Sequence, residues 1–282
     1  MLRFAALRPG QELPEHTVRA RNFATASENK IHEDSVAKQY GFAGGLVPGV
    51  TVYAYMTRPV VEVLGRDWLA YGTATARFLK PFYEGEMVRV RTRAADAGSD
   101  LARLELEAYN GDGQLCAVAS AALPATLTAP PAVTGYPAAT LPAQRPPVSE
   151  EALRAIGALG TVEATYDARV KAARFCDEIG DDWGGYFGPG AVGHPGVLIR
   201  YANSALALNV LLNPWIHVSS DITHFSLVRD GDVVSTRGRV ASLFERKGHK
   251  FVDLDLLMVA NGERPIMHVR HTAIYDVRKV GE

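Results

Sequence analysis

The sequence predicts an α+β protein made of two similar halves in tandem, each an antiparallel sheet wrapped around one long central helix. Three observations support this fold class: short motifs that occur twice in the same order, a long apolar segment in each half, and segments in which apolar and polar residues alternate. Alternation that leaves one face polar is typical of antiparallel strands with one side in water.

The recurring motifs lie about 150 residues apart, which is the pattern of an internal repeat. Each motif is a turn or a helix start, and the three keep their order in both halves. They are Gly-acid turns at residues 85–86 and 231–232, Pro-Gly pairs at 48–49 and 195–196, and Asn-Gly pairs at 110–111 and 261–262.

The two long apolar segments are predicted to be helices, over about residues 49–64, with Pro59 as a kink, and over about residues 195–212. Both segments are apolar on nearly all sides, so each helix must be buried on most faces. A buried helix beside a sheet with one dry face is the hotdog architecture. Because a single half leaves an edge and a flank uncovered, the sequence predicts a tandem double hotdog.

A Pro/Ala-rich stretch over residues 129–148 has no periodicity and one charged residue, Arg145. This composition is typical of an extended linker. It divides the chain into a first hotdog, residues 1–128, and a second hotdog, residues 149–282.

Composition excludes several classes of function. The chain has 30 Lys and Arg, 31 Asp and Glu and a net charge of -1, which excludes the basic surface of a nucleic-acid binder and disfavours a membrane-binding surface. No apolar run approaches the roughly 18 residues of a membrane span, and the beginning of the chain lacks a signal-peptide pattern. Cys116 and Cys176 provide neither a disulfide framework nor metal-ligand spacing. We expect a cytoplasmic protein, monomeric or homodimeric, without a cofactor.

The motif-rich segment of the first half is residues 25–50, TASENKIHEDSVAKQYGFAGGLVPGV. Asn29, His32 and Asp34 stand at the spacing of the signature of the MaoC-like dehydratase and (R)-specific enoyl-CoA hydratase family. The sequence Arg-Phe-Leu-Lys-Pro at 77–81 is similar to a strand of that family. The chain resembles the family over about residues 20–125, whereas the second half resembles it in fold only.

The resemblance implies reversible syn addition of water to a 2-enoyl thioester, with acyl-CoA or an acyl-carrier thioester as the substrate. An imidazole and a carboxylate activate the water in the family, and both must lie within hydrogen-bond reach of it. His32 is implied to be the imidazole, and Asn29 to orient the water or the carboxylate. A backbone N–H after Pro48, of Gly49 or Val50, is implied to polarise the thioester carbonyl.

One position departs from the family. Its catalytic carboxylate lies five residues before the histidine, where this chain has Ser27, and Glu28 is the nearest acid. In an extended stretch Glu28 would lie on the side opposite to residue 27, whereas an irregular loop would re-aim it. Asp34, also a candidate substrate-binding residue, serves the loop and the cap of a short helix in the family.

Three alternatives therefore remain open: Glu28 replaces the missing base, His32 works alone in a changed reaction such as thioester hydrolysis, or the site binds an acyl thioester without turnover. We predict a hydratase or dehydratase, with a non-catalytic binding protein or a hotdog thioesterase as alternatives. A thioesterase normally needs a carboxylate or hydroxyl on a central helix, and the candidates are Thr51, Thr57 and Ser204. No metal site is expected, because His32 and Asp34 lack a third ligand at suitable spacing.

The second half contains no copy of the Asn-x-x-His-x-Asp cluster, which predicts one site per chain. The glycine-rich stretch 184–190 is interpreted as a flexible lip of an acyl tunnel, and His194 as a residue that shapes the tunnel. His217 and the later histidines receive no predicted role.

Overall fold

The computed structural model describes residues 7–97 and 102–279, so the predicted outer boundaries at residues 1 and 282 lie outside the described part. The described strands form one ten-stranded antiparallel sheet. They are β1 (His16–Arg19), β2 (Thr73–Phe78), β3 (Met87–Ala97), β4 (Ala102–Tyr109), β5 (Leu115–Leu123), β6 (Leu159–Thr165), β7 (Ile216–His224), β8 (Val233–Arg246), β9 (His249–Ala260) and β10 (Arg264–Asp276).

The sheet consists of two halves with the same strand order. Along the sheet the strands run β1-β3-β4-β5-β2-β7-β10-β9-β8-β6. Read from each outer edge inward, the orders β1-β3-β4-β5-β2 and β6-β8-β9-β10-β7 match strand for strand, with strand numbers that differ by five. The halves join where β2 pairs with β7, from Thr73 opposite Thr223 to Arg77 opposite Ser219. This pairing covers one edge of each half and confirms the predicted double hotdog.

The Gly-acid repeats form the same turn in both halves. Gly85 and Gly231 have φ angles of 80° and 85°, in the left-handed region that glycine adopts without steric cost. The carboxylates of Glu86 and Asp232 each accept a hydrogen bond from the backbone N–H three residues earlier, at 3.0 and 2.9 Å. The repeated sequence therefore marks the entry to the equivalent strands β3 and β8.

Within residues 7–97 and 102–279 there are five α-helices, of which two are the central helices of the hotdogs. The helices are α1 (Asp34–Ala37), α2 (Gly49–Tyr71), α3 (Glu150–Ala155), α4 (Ala173–Ile179) and α5 (Pro195–Ala207). Single turns of other helix types are Lys30–His32, Lys38–Tyr40, Val133–Gly135, Ala168–Ala172 and Gly184–Tyr186.

Both central helices end differently from the prediction. Helix α2 continues to Tyr71 through a break at Gly65, where φ is 58° and ψ is -148°, while Pro59 lies within the helix. Helix α5 ends before the predicted position because the buried side chain of Asn209 ties the chain to β6. Its Oδ1 accepts a hydrogen bond from Gly160 N at 2.7 Å, and its Nδ2 donates to Gly160 O at 3.1 Å.

One hydrophobic core spans both halves, because buried residues of α2 and α5 belong to the same packed cluster. The two helices are in close contact where Gly196 of α5 meets Ala54 of α2: a Cβ on Gly196 would lie 2.6 Å from the Ala54 Cβ. Burial of apolar surface stabilises a fold by roughly 25 cal/mol per Å², so a shared core holds the two halves together.

The outer face of the second half is less polar than the alternation predicts. Asp255 belongs to the polar set of the alternating residues on β9, yet it is 4% exposed, because the linker lies over it. The hydroxyl of Tyr136 in the linker donates to Asp255 Oδ1 at 2.9 Å, and His268 Nε2 lies 2.7 Å from the same oxygen. The linker is therefore a packed cover on this part of the sheet.

Candidate active site

The loop before α2 is held in place by short-range contacts around His32. Asn29 caps the turn Lys30–His32, its Oδ1 accepting from Ile31 N at 3.3 Å. Gly45 lies directly against the His32 carbonyl, where a Cβ would come within 2.1 Å of the oxygen. Asp34 Oδ1 accepts a hydrogen bond from Gly45 N at 2.7 Å. These contacts fix the backbone that carries the imidazole.

The His32 ring is oriented by a hydrogen bond at each nitrogen. Its Nδ1 lies 2.7 Å from the Leu46 carbonyl oxygen, an acceptor, so Nδ1 carries the proton. Its Nε2 lies 3.3 Å from the Asn29 amide nitrogen, a donor, and therefore has a lone pair. Burial lowers the pKa of His32 from its usual value of 6.5, against an opposing effect of the Leu46 hydrogen bond. The imidazole is neutral at pH 7 and basic at Nε2.

Asn29 connects this histidine to the second half. Its side-chain Nδ2 donates to the Trp215 carbonyl at 2.9 Å, and its Oδ1 accepts from Trp215 N at 3.2 Å. Trp215 immediately precedes β7, so the amide that orients His32 is itself fixed by the other hotdog. The position of the imidazole thus depends on the joining of the halves.

The amino end of α2 offers unpaired N–H groups beside the loop. Pro48 at the N-cap provides no side-chain acceptor. The first N–H groups of a helix have no partner within the helix, and among the described residues none is found for those of Gly49 and Val50. The helix dipole favours negative charge at this end. The geometry is therefore suited to a carbonyl oxygen that gains negative charge.

Two spaces that share wall residues lie at this point. The first, the main cavity, has a volume of about 240 Å³, and its wall includes Leu46, Phe78, Phe82, His217, Phe251 and Ile274. The second, the entry cleft, has a volume of about 300 Å³, and its wall includes Ser27, Thr51, Arg145, Phe175, Arg200 and Ser204. Both spaces contact Asn29, His32, Pro48, Asn203 and Trp215.

Both halves contribute to these walls, and two polar residues of the second half were missed by the sequence analysis. Asn203 on α5 and His217 on β7 line the main cavity. Asn203 Oδ1 and His217 Nδ1 are both buried and have no hydrogen-bond partner among the described residues. No motif marks either residue, because their proximity to His32 follows from the contacts between the halves.

The other predicted site residues lie outside the main cavity. Ser27 lines the entry cleft, and its hydroxyl donates to the Asn29 carbonyl at 3.2 Å. Glu28 lies at the rim of the cleft, with 79% of its side chain exposed, and pairs with Arg145 at 2.8 Å. That ion pair lowers the pKa of Glu28. Asp34 contacts neither space and serves the loop through Gly45.

The corresponding region of the second half is filled. His194 is fully buried, and its Nε2 lies 3.1 Å from Asp181 Oδ2. It contacts neither the main cavity nor the entry cleft, in contrast to its predicted role in shaping a tunnel. The predicted lip at 184–190 also lies away from both, and its end lines a separate surface hollow with Arg229. Among the described residues, no group of three or more His, Cys, Asp or Glu is arranged to hold a metal ion.

Comparison with known proteins identifies the fold. No family model and no curated protein matches the sequence. A MaoC domain dehydratase protein from Chloroflexus aurantiacus J-10-fl aligns at a TM-score of 0.67, with 13% identity over 96% of each chain. A conserved hypothetical protein with a double hotdog fold from Mycobacterium tuberculosis aligns at 0.63, with 16% identity over 95% of this chain and 96% of its own.

Hotdog proteins of another activity align less well. An acyl-ACP thioesterase from Bacteroides thetaiotaomicron VPI-5482 has a TM-score of 0.51 and 10% identity, over 92% of this chain and 96% of its own. At these identities the likeness defines the fold and leaves the reaction open: the chain is a double hotdog protein similar in structure to MaoC-like dehydratases. Within the described residues, no helix is long and apolar enough to cross a membrane.

Proposed function

We propose that this protein hydrates a 2-enoyl thioester, or dehydrates the 3-hydroxyacyl thioester, in the main cavity, with His32 as the acid–base group. The observation that carries the proposal is the neutral His32 imidazole, whose Nδ1 is held on Leu46 O so that the basic Nε2 lies where the main cavity and the entry cleft meet. The unpaired N–H groups of Gly49 and Val50 lie at the same junction.

The reaction needs one base that both takes and returns a proton. The water oxygen bonds to C3 while its proton passes to His32 Nε2, and the electrons of the double bond move toward C2 and the carbonyl oxygen. Helix N–H groups stabilise the resulting enolate oxygen. The imidazolium then gives its proton to C2, which completes the addition and restores the neutral histidine.

The shapes of the two spaces suggest how the substrate lies. An acyl chain fits the main cavity, whose wall is largely aromatic and aliphatic. The thiol arm of CoA or of a carrier protein then occupies the entry cleft, where Arg145 and the exposed Arg200 provide positive charge for its phosphate groups. The carbonyl falls at the junction, beside His32 and the amino end of α2.

Binding without turnover is the second candidate, favoured by the missing carboxylate. Ser27 donates its hydroxyl proton to a backbone carbonyl, and Glu28 is held at the exposed rim by Arg145. Thioester hydrolysis has weaker support, because Thr57 and Ser204 donate to carbonyls of their own helices at 2.8 and 3.2 Å, which leaves Thr51, on the wall of the entry cleft, as the hydroxyl candidate.

The test is an absorbance assay with trans-2-enoyl-CoA substrates of increasing chain length, since hydration removes the conjugated chromophore. We expect His32→Ala to lower kcat/KM at least about 100-fold, the usual contribution of general acid–base catalysis. His249→Ala, on the outer hairpin of the second half, is the matched control and retains full activity.

Parallel measurements separate the alternatives. Release of free thiol from saturated acyl-CoA would identify a thioesterase. A rise in melting temperature with acyl-CoA, without either reaction, would identify a binding protein. Absence of binding and of turnover for every thioester tested would overturn the proposal.

A further inference from the structure

The second hotdog contributes more to the cavity than a wall. Building on the function proposed above, we infer that His217 donates a hydrogen bond from Nδ1 to the thioester carbonyl oxygen, as the partner of the α2 amide N–H groups. His217 lies on β7 and so belongs to the half that lacks the His32 cluster.

The position of His217 relative to α2 is set by Gly49. A Cβ on Gly49 would lie 3.1 Å from His217 Nδ1 and 3.0 Å from the Phe78 ring. Because a carbon–carbon bond adds about 1.5 Å, the imidazole nitrogen is less than about 5 Å from the Gly49 Cα. A carbonyl oxygen held by the first N–H groups of α2 is therefore within reach of this nitrogen.

The ring is fixed rather than free to turn. Its Nε2 is 2.9 Å from Ser220 Oγ, which lies 2.9 Å from His271 Nδ1. The two imidazoles stack with centroids 4.1 Å apart, and Phe78 meets His217 edge-on at 4.9 Å. A fixed donor is what stabilisation of a developing oxyanion requires.

The hydrogen bonds through Ser220 allow two arrangements of the proton on His217. The Ser220 hydroxyl has one proton, so it donates to one imidazole and accepts from the other. If Ser220 donated to His271, the His271 Nε2–H would be a buried donor without a partner. If Ser220 donates to His217 Nε2, His271 Nε2 is a bare acceptor and His217 Nδ1–H is the donor without a partner. Each arrangement leaves one unpaired N–H, but only His217 lines the main cavity, so a bound carbonyl oxygen selects the second arrangement.

In that arrangement His217 Nδ1–H is directed to the Gly49 side of the main cavity. His217 is 6% exposed, and Nδ1 has no hydrogen-bond partner among the described residues. A buried donor without a partner costs about 1–3 kcal/mol, a cost that a bound carbonyl removes. Burial and the neighbouring His271 lower the pKa of His217 well below its usual value, against an opposing effect of the Ser219 backbone, so the ring is neutral at pH 7.

The experiment compares His217→Phe, which keeps a ring without a donor, with His217→Asn, whose amide nitrogen takes the place of Nδ1. We expect His217→Phe to lower kcat/KM for the enoyl thioester about 100-fold, as for loss of one oxyanion donor. His217→Asn should recover at least a tenth of wild-type kcat/KM. His224→Phe is the matched control: this histidine is also buried on β7, packs on Trp68 away from the cavity, and its replacement leaves kcat/KM unchanged.

A second readout is independent of turnover. Difference infrared spectra of a bound saturated acyl-CoA, labelled with ¹³C at the carbonyl, report hydrogen bonding as a lower stretching frequency. The shift should shrink in His217→Phe and persist in His217→Asn and His224→Phe. If wild type turns over and His217→Phe is unaffected in rate and spectrum, the inference is wrong and the hydratase proposal stands.

The remaining outcomes also decide the question. A wild-type protein that binds without turnover, with a carbonyl shift lost in His217→Phe, supports the inference and rejects hydratase activity. If the wild-type protein binds acyl-CoA without lowering the carbonyl stretching frequency, the donor role is rejected. No binding of any acyl-CoA rejects both proposals.

Discussion

The amino ends of the two central helices have the same sequence and opposite uses. Pro48-Gly49 begins α2 and Pro195-Gly196 begins α5. At α5 the preceding residue is His194, whose Nδ1 accepts a hydrogen bond from Gly196 N at 2.9 Å. At α2 the preceding residue is Val47, which has no polar side chain, and the first N–H groups remain unpaired among the described residues. One side chain decides whether the helix end is closed or available to a ligand.

The amino end of α5, at His194 and Gly196, is called the closed end, and aromatic and charged side chains pack around it. The ring of His194 lies 5.2 Å from Phe175 and 4.4 Å from Tyr186, centroid to centroid. Its other nitrogen meets Asp181, which also pairs with Arg58 of α2 at 3.3 Å. The closed end is thus a stabilising cluster, while the open end faces a cavity. The repeat therefore contains two equivalent positions, of which one is packed into the core and the other lies open to the main cavity.

The largest expected effect is on stability at the closed end. Asp181→Ala removes a buried acceptor from His194 Nε2–H and from Trp183 N–H and one carboxylate from Arg58, and a buried donor left unsatisfied costs about 1–3 kcal/mol. Urea unfolding followed by circular dichroism measures the loss. Asp182→Ala is the matched control, because Asp182 also binds Arg58, at 2.9 Å, but is 88% exposed and should give no measurable change. Equal changes in the two variants would contradict a stabilising role for the closed end.

Substitution of Gly196 at the closed end and of Gly49 at the open end tests whether the first position serves stability and the second serves ligand binding. In Gly196→Ala the new Cβ meets Ala54 at 2.6 Å, so we expect a loss of about 1–3 kcal/mol in unfolding free energy. In Gly49→Ala the new Cβ meets Phe78 and His217 at 3.0 and 3.1 Å, at the wall of the cavity.

Thioester affinity and urea unfolding should therefore separate the two variants. We expect Gly49→Ala to weaken acyl-CoA binding about tenfold, which corresponds to 1.4 kcal/mol, with the smaller change in stability. Gly196→Ala should retain binding once folded. The comparison fails if both substitutions weaken binding alike.

The pH profile of hydration tests the acid–base group at the open end. His32 must be neutral to accept a proton, and burial places its pKa below 6.5. We expect kcat/KM to be flat above pH 6.5 and to fall in acid as the imidazole protonates. If kcat/KM changes with pH above 6.5, a group other than His32 controls the rate.

Acid unfolding must be measured beside that profile, because it acts in the same direction. Burial lowers the pKa of His224 to about 4 and that of His271 to about 3. The unfolded chain therefore binds more protons than the folded one below pH 6.5, and stability falls as the pH is lowered through this range. The rate is interpreted only where circular dichroism shows folded protein.

The sequence predicted the fold well because its evidence is local and repeated. Turn motifs, apolar helices and alternating strands each follow from short stretches, and Gly85 and Gly231 adopt equivalent conformations as expected. The helix ends were less predictable. The boundary of α5 depends on Asn209 reaching Gly160, which lies nearly 50 residues earlier in the chain. Contacts of that kind leave no periodic signal.

The site was predictable only on the side that carries a motif. Asn29 and His32 lie together, as their spacing indicates, since three residues span one turn. His217 was passed over because its proximity to Gly49 arises from the pairing of β2 with β7. The orientation of the Glu28 side chain could not be predicted either, because its partner Arg145 comes from the linker, far along the chain.

The smallest expected effect concerns Glu28, and it decides whether the open end works with one acid–base group. The carboxylate is exposed and bound to Arg145, so Glu28→Gln should change kcat/KM by less than about threefold, in line with the small energies of exposed ion pairs. Glu33→Gln is the control, because Glu33 pairs with Lys30 one turn along the same loop. A loss of about 100-fold in Glu28→Gln alone would mean that the carboxylate leaves Arg145 during turnover and shares the water with His32. A silent variant beside an inactive His32→Ala instead leaves the imidazole as the proton carrier, with the open helix end holding the charge that forms on the substrate.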